Sequence, residues 1–328
     1  MKPDLYICHT PYQVLVEICR AFSASAKPEI LLSHTIPDAQ PLAARLESCG
    51  LFSKVTTFDE NACGSAMQQG FWRTLLLQHA MGVRNVEHYY GFKIKRSEYN
   101  NIYIHNDWSV LGRYLQDKNI PYILCEDTLG STSHVSEHLI CAQRAQPLFK
   151  LRRLFRYGYQ YWGDWAGIKA LEAEDLSRVY YPGSKDIEHS WAKTFHELTD
   201  EQKEMILNVF LTQPIPHNEK NSTLFLPRDF VADSLLNQED QDAIYQAIVQ
   251  KYCDGPLFIK AHPRDQNDYS ILFPDAIILQ RTMPSEVLNF CLPFRFSKAI
   301  AVESLVLNGL EVADEKLMIS LKEAKALI

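Results

Sequence analysis

The sequence predicts a two-domain α/β protein, in which doubly wound parallel sheets face each other across a cleft. Two observations carry this. At 328 residues the chain exceeds what one hydrophobic core ordinarily supports. Short apolar runs also alternate with amphipathic stretches, once near the N-terminus and again after residue 220, which is the pattern of parallel strands with covering helices.

In the first series Leu5–Cys8 reads as a strand, Tyr12–Phe22 as a helix, Glu29–Leu32 as a strand and Ala39–Cys49 as a helix. The series continues with the strand Ile102–Ile104, a helix over Ser109–Asp117 and the strand Tyr122–Cys125. Residues 1–150 are thus expected to form one domain. In the second series the strands are Leu224–Leu226, Leu257–Lys260, Ala276–Leu279 and Ala299–Ala301, with helices over Asp240–Tyr252 and after Pro284. Residues 221–328 are expected as the second domain, joined to the first by a helical connection over 151–220. Pro214–Ser222 is polar and proline-containing, as a linker or long loop would be. Leu148–Trp165 is a basic and aromatic block, suited either to packing between domains or to resting on an anionic membrane surface.

Composition narrows the function. With 46% hydrophobic and 22% charged residues the chain reads as an ordinary soluble globular protein. A net charge of -7 argues against general nucleic-acid binding, which needs a broad excess of Lys and Arg. The eight cysteines are scattered without a C-x-x-C pair, as expected of free thiols in a reducing cytoplasm. The apolar run Leu5–Cys8 is far too short for a signal segment or membrane span, so a cytoplasmic location is expected.

Five short motifs fall at predicted strand ends, where open parallel sheets bind ligands. Ala261-His262-Pro263-Arg264 follows a hydrophobic strand; Pro263 restricts His262 to an extended backbone. His262 can then donate to a phosphate oxygen, and Arg264 offers a planar fork for phosphate or carboxylate. Thr10-Pro11-Tyr12-Gln13 suits a helix start, with Thr10 as cap and Pro11 in the first turn. Glu126, Asp127 and Gly130 form an acidic-glycine turn that could orient a hydroxyl. Asp229, with Asp233 close behind, is a candidate base. Ser304 is expected to open a helix and bind phosphate there. Each has an unremarkable alternative as a cap or turn. The D-x-D shape at Asp240–Asp242 reads as acidic residues suited to a helix start.

Taken in order, these pieces resemble the bacterial glycosyltransferase family 52, the lipooligosaccharide sialyltransferase family. The matching elements are Thr10-Pro11-x-Gln13, Glu126–Gly130, His262-Pro263-Arg264 and Ser304, and His-Pro is the specific one. The resemblance implies a GT-B fold of two Rossmann-like domains. It implies an inverting, metal-independent transfer of sialic acid from CMP-sialic acid to a galactose-terminated glycolipid, with no cofactor. It further implies that His262 assists the leaving phosphate, Asp229 or Asp233 removes the acceptor proton, Glu286 binds the ribose and Ser304 the phosphate. A homodimer would fit the family, and the basic-aromatic block Leu148–Trp165 resting on the inner membrane would bring such an enzyme to a lipid-linked acceptor. A GT-B transferase using a UDP-hexose and a non-catalytic nucleotide- or glycan-binding protein are the competing readings.

Overall fold

The computed structural model describes residues 1–67, 86–88, 91, 93–128, 165–179, 185–212, 215, 221–263 and 265–328. The basic-aromatic block, apart from Trp165, lies outside the described residues, as do Gly130, Arg264 and most of the expected linker. The chain divides into two compact units, Met1–Glu197 and Leu198–Ile328. The boundary between them, after Glu197, falls within the stretch 151–220 expected as a connection.

The first unit contains β1 (Leu5–Cys8), α1 (Pro11–Phe22), β2 (Glu29–Ser33), α2 (Ala39–Ser48), β3 (Lys54–Phe58) and α3 (Glu60–Met67). It continues with β4 (Ile102–Ile104), α4 (Val110–Asp117), β5 (Ile123–Cys125), β6 (Ala170–Ala173), β7 (Ile187–Glu188) and α5 (Trp191–His196). The sheet order is β3-β2-β1-β4-β5-β6-β7, and every pairing is parallel. β1 sits in the middle, with all four of its residues buried, so its unbroken apolar sequence is what a strand covered on both faces requires. Strand order reverses between β1 and β4, and the crevice beyond their carboxyl ends is the place such sheets present to ligands.

α1 shows how local sequence and packing agree. Thr10 caps it, accepting from the Gln13 amide at 3.3 Å, and Pro11 occupies the first turn, where its missing N–H costs nothing. Nine of its twelve residues are buried, Gln13 and Glu17 among them. α4 begins at Ser109, whose hydroxyl accepts from the Gly112 amide at 3.0 Å. A Cβ at Gly112 would lie 2.4 Å from the Asp107 carbonyl oxygen, which explains a glycine in a helix interior.

The second unit contains α6 (Asp200–Phe210), β8 (Thr223–Leu226), α7 (Gln238–Tyr252), β9 (Leu257–Ile259), α8 (Tyr269–Leu272) and β10 (Ile277–Ile278). After these come α9 (Ser285–Cys291), β11 (Phe296–Val302), β12 (Ala313–Ile319) and α10 (Leu321–Lys325). The order β10-β9-β8-β11-β12 is again wholly parallel, with reversal between β8 and β11. Its core gathers Phe225, Phe230, Ile244, Tyr245, Ile248, Ile259 and Ile300; each such side chain contributes roughly 1.5–3 kcal/mol on burial. α7 starts two residues earlier than expected because Asn237 accepts from the Asp240 amide at 2.8 Å, so Asp240 belongs to a capped first turn. Among the described residues, no helix is long and apolar enough to cross a membrane.

Candidate functional site

In the second unit, four strands end in the polar loops singled out from sequence. β8 leads into Pro227-Arg228-Asp229, β9 into Lys260-Ala261-His262-Pro263, β10 into the turn before α9, and β11 into Glu303-Ser304. Because the strands are parallel and adjacent, Asp229, His262 and Ser304 all stand at the carboxyl edge of one sheet, with Arg228 and Ser304 flanking the point where the order reverses.

Arg228 was not anticipated, and it crosses that reversal. Its Nε donates to Asp233 Oδ2 at 2.8 Å, and its Nη1 donates to the Glu303 carbonyl at 3.3 Å. The guanidinium also lies 5.3 Å from the centre of the Phe230 ring. Tyr245, on α7, donates its hydroxyl to the Arg228 carbonyl and fixes the backbone there.

Both candidate bases already have partners. Asp233 is paired with Arg228, while Asp229 Oδ1 accepts from the Ala232 amide at 3.0 Å, closing the turn after β8. Asp229 remains half-buried at the strand end.

His262 is exposed, and the loop beneath it is tightly held. Its carbonyl accepts from the Asp265 amide at 3.0 Å. Asp265, 1% exposed, accepts from the Asn267 amide at 2.8 Å and from the Tyr269 hydroxyl at 2.7 Å. Lys260 is the second residue that sequence reasoning missed. Its Nζ donates to the Ala261 carbonyl at 2.8 Å and the Arg281 carbonyl at 3.1 Å, tying the β9 end to the loop before α9. Burial pushes the Lys260 amine down to about 8, against the smaller opposing pull of Glu286. Burial likewise raises the Glu286 carboxyl above the usual range; Ser285 donates to that carboxylate at 3.2 Å. The signal for Lys260 was present, since a lysine closing an apolar strand, one residue before His-Pro, is hard to solvate.

Lys260 yields a pH prediction. An unfolded lysine keeps its proton up to its ordinary value of 10.5, whereas the folded one releases it above about 8. Between these values the unfolded state binds more protons, so the Lys260 contribution to stability rises with pH. Denaturant titrations across this window should therefore show the stability difference between wild type and Lys260→Met moving in favour of wild type as pH rises. A pH-independent difference would show that the amine is not held in low dielectric.

Ser304 departs from expectation. It precedes a five-residue 3-10 turn, Leu305–Gly309, and makes no side-chain cap bond, so no α-helix start presents its amides to phosphate. Glu303, with φ of 47°, takes the left-handed backbone there, and its Oε1 accepts from the Leu321 amide at 2.9 Å.

In the first unit the Thr10 and Gln13 motif is assembled as a strand-end clamp. Gln13 Oε1 accepts from the His9 amide at 2.5 Å, and Gln13 Nε2 donates to Asp127 Oδ1. The side chain of α1 thereby joins the ends of β1 and β5. Glu126, expected to face a ligand, is 4% exposed and accepts from the Glu174 amide at 2.8 Å, a structural tie to β6. Asp127 alone of that acidic pair is half-buried. Nearby, Glu60 accepts from Ser33 Oγ at 2.8 Å and from the Val110 amide at 2.6 Å, and His9 Nε2 lies 3.3 Å away. Burial raises the Glu60 carboxyl, but His9 and these hydrogen bonds outweigh it and hold it below the usual range.

Beneath the β1–β4 crevice lies a buried set of Glu17, Arg20, His105 and Glu172. Arg20 Nε donates to Glu17 at 2.8 Å, and its Nη atoms grip Glu172 at 2.9 and 2.5 Å. Glu17, His105 and Cys125 bring ligand-type atoms within 4.8 Å of one another, yet Arg20 already bonds Glu17 and lies 3.7 Å from Cys125 Sγ. The chain supplies its own cation where a metal would otherwise be sought.

Two parallel, Rossmann-type α/β units, each with its polar loops at the carboxyl edge, define the class and match the expected fold class. Residues 184–317 match the model of glycosyltransferase family 52, which bears out over that stretch the resemblance drawn from the motifs. An uncharacterized protein of Haemophilus influenzae is 32% identical over 135 residues, 39% of this chain and 40% of the relative. The match thus spans well under half the length of that relative. Among solved structures, an alpha/beta-galactoside alpha-2,3-sialyltransferase from Photobacterium phosphoreum aligns with a TM-score of 0.47 at 13% identity, over 99% of this chain and 94% of that one. The UDP-GlcNAc 2-epimerase of Neisseria meningitidis aligns with a TM-score of 0.42 at 12% identity, over 94% and 78%.

Proposed function

We propose that the protein is an inverting, metal-independent glycosyltransferase that moves sialic acid from CMP-sialic acid to a galactose-terminated surface glycan. The observation that carries this reading is the overlap of two things. The family 52 match covers residues 184–317, and within it Asp229, His262, Glu286 and Ser304 occupy strand ends or helix starts of one parallel sheet. In this reading His262, together with Pro263 and Arg264, receives the nucleotide phosphate, and the imidazole stabilises charge growing on the leaving group. Glu286 takes the ribose, Ser304 a phosphate oxygen, and Asp229 the acceptor proton. Thr10, Pro11, Gln13 and Asp127 serve the acceptor side. The work is placed at the cytoplasmic face of the inner membrane, where a lipid-linked acceptor would be reached, and a homodimer is the expected assembly.

The donor is tested by offering CMP-sialic acid and UDP-hexoses separately, with a galactose-terminated acceptor, and identifying the nucleotide released. CMP release supports the reading; UDP release replaces the donor; release from neither by folded protein favours a binding protein.

The role of Asp229 can be separated from its turn bond. Asparagine can still accept from the Ala232 amide but cannot take a proton. Asp229→Asn should therefore keep the melting temperature of wild type and lose transfer by roughly 10²–10⁴-fold. Unchanged turnover in that variant would transfer the base role to another carboxylate.

A further inference from the structure

We infer that His105 and Glu17 share an extra buried proton, and that this pair is a positioning device for the Glu126–Asp127 strand end. His105 is 1% exposed and follows β4 directly at the strand-order reversal. Its Nδ1 lies 2.6 Å from the Glu126 carbonyl oxygen and its Nε2 lies 2.8 Å from Glu17 Oε1. A carbonyl oxygen has no proton to give, nor has an ionised carboxylate, and a neutral imidazole carries only one N–H. Both contacts are satisfied only if ring and carboxylate together hold one proton more than neutral imidazole beside carboxylate.

Charge balance leads to the same result. The charged groups around His105 include Glu17 and Arg20 from α1, Glu172 from β6 with His189 acting on it, and Cys125 and the buried Glu126 from the β5 end. Two carboxylates against one guanidinium would leave a net negative charge in the interior, which is strongly disfavoured. A proton shared by His105 and Glu17 offsets the charge that one guanidinium leaves unbalanced between Glu17 and Glu172.

The consequence falls on the neighbouring loop. The Glu126 carbonyl is held by His105, its amide donates to the Glu172 carbonyl at 3.1 Å, and its carboxylate accepts from Glu174. Asp127 is in turn gripped by Gln13. A half-buried carboxylate whose preceding residue is held at amide, carbonyl and side chain, and whose own Oδ1 is held by Gln13, is pre-organised to receive a hydroxyl without rearrangement. That last step rests on the glycosyl-transfer reading; the shared proton does not.

The test begins with nitrogen NMR of histidine-labelled full-length protein at neutral pH. One imidazole should show both nitrogens protonated, and that signal should vanish in His105→Gln. In Glu17→Gln the new amide can donate to Nε2, so His105 should revert to a single proton, on Nδ1, while Arg20 and Glu172 remain a neutral pair. Glu17→Gln should accordingly melt closer to wild type than His105→Gln, and the double variant should melt above His105→Gln alone. With a galactose-terminated acceptor, Glu17→Gln should alter the acceptor KM or kcat and leave the donor KM unchanged. A singly protonated His105 in wild type, or strictly additive melting shifts, would overturn the inference. If His105→Gln fails to fold, the wild-type and Glu17→Gln spectra decide the matter. Because the NMR and melting readouts use no substrate, they remain decisive even if transfer is never observed.

Discussion

Replacing Arg20 by methionine is expected to destabilise the protein by about 3–5 kcal/mol, the usual cost of removing one partner from a buried ion pair. The side chain is only 15% exposed, and Glu17 and Glu172 beneath it are 0% and 3% exposed. Methionine would fill much of the space but strand the Glu172 carboxylate in low dielectric and remove the Arg20 bond from Glu17. The guanidinium also lies 4.3 Å from the Tyr103 ring centre and 4.9 Å from that of Trp191, contacts a planar cation is suited to make. Arg20→Lys should be intermediate, since it keeps the charge and loses the two-pronged grip on Glu172. Urea denaturation monitored by tryptophan fluorescence measures both.

The same residue controls acid stability. Burial raises the Glu172 carboxyl, and the Arg20 guanidinium outweighs it, holding the group below the usual carboxylate range. A depressed carboxyl contributes stability that is present above its unfolded value and disappears as pH falls through the folded one. Wild type should therefore lose more stability than Arg20→Met on acidification, and their denaturation midpoints should converge. Parallel loss in the two proteins would show that Arg20 does not set the charge of Glu172.

The second large effect is expected at His262. His262→Ala should reduce sugar transfer by roughly 10²–10⁴-fold, the range for losing a positioned proton donor. The side chain is exposed, so stability should stay within about 0.5 kcal/mol of wild type, as for ordinary surface substitutions. Transfer at the parent rate in that variant would remove His262 from the mechanism.

Much of this architecture was readable because it depends on local pattern. The all-apolar β1 and the Thr10-Pro11 helix start announce themselves within a few residues, and the strand ends before Pro227 and Pro263 are marked by proline. β12 was not legible, since its sequence Ala-Asp-Glu-Lys-Leu-Met-Ile carries three exposed charges on an edge strand. β6 and β7 were hidden for a related reason. They extend the first sheet from within the stretch read as a connection, and β7 is only two residues long, both exposed.

The site divided along the same line. His262 and Asp229 could be singled out as candidates because strand ends are where open parallel sheets place ligands. The buried quartet could not be, because Glu17 and Arg20 look like an ordinary surface pair three apart on a helix, and their partners, His105 at the end of β4 and Glu172 on β6, come about 85 and 150 residues further on. Only tertiary packing turns that pair inward. Lys260 escaped because His262 and Arg264 drew the reading of the same motif, whereas the lysine acts by holding two carbonyls beneath it.

The most direct test of the central claim is to incubate the protein with CMP-sialic acid and a galactose-terminated oligosaccharide in the presence of a metal chelator, and to follow the acceptor by mass spectrometry. An acceptor heavier by one sialic acid residue is expected, formed in step with CMP and with inverted anomeric configuration. Folded protein that leaves acceptor and donor unchanged, with or without added divalent metal, would contradict it.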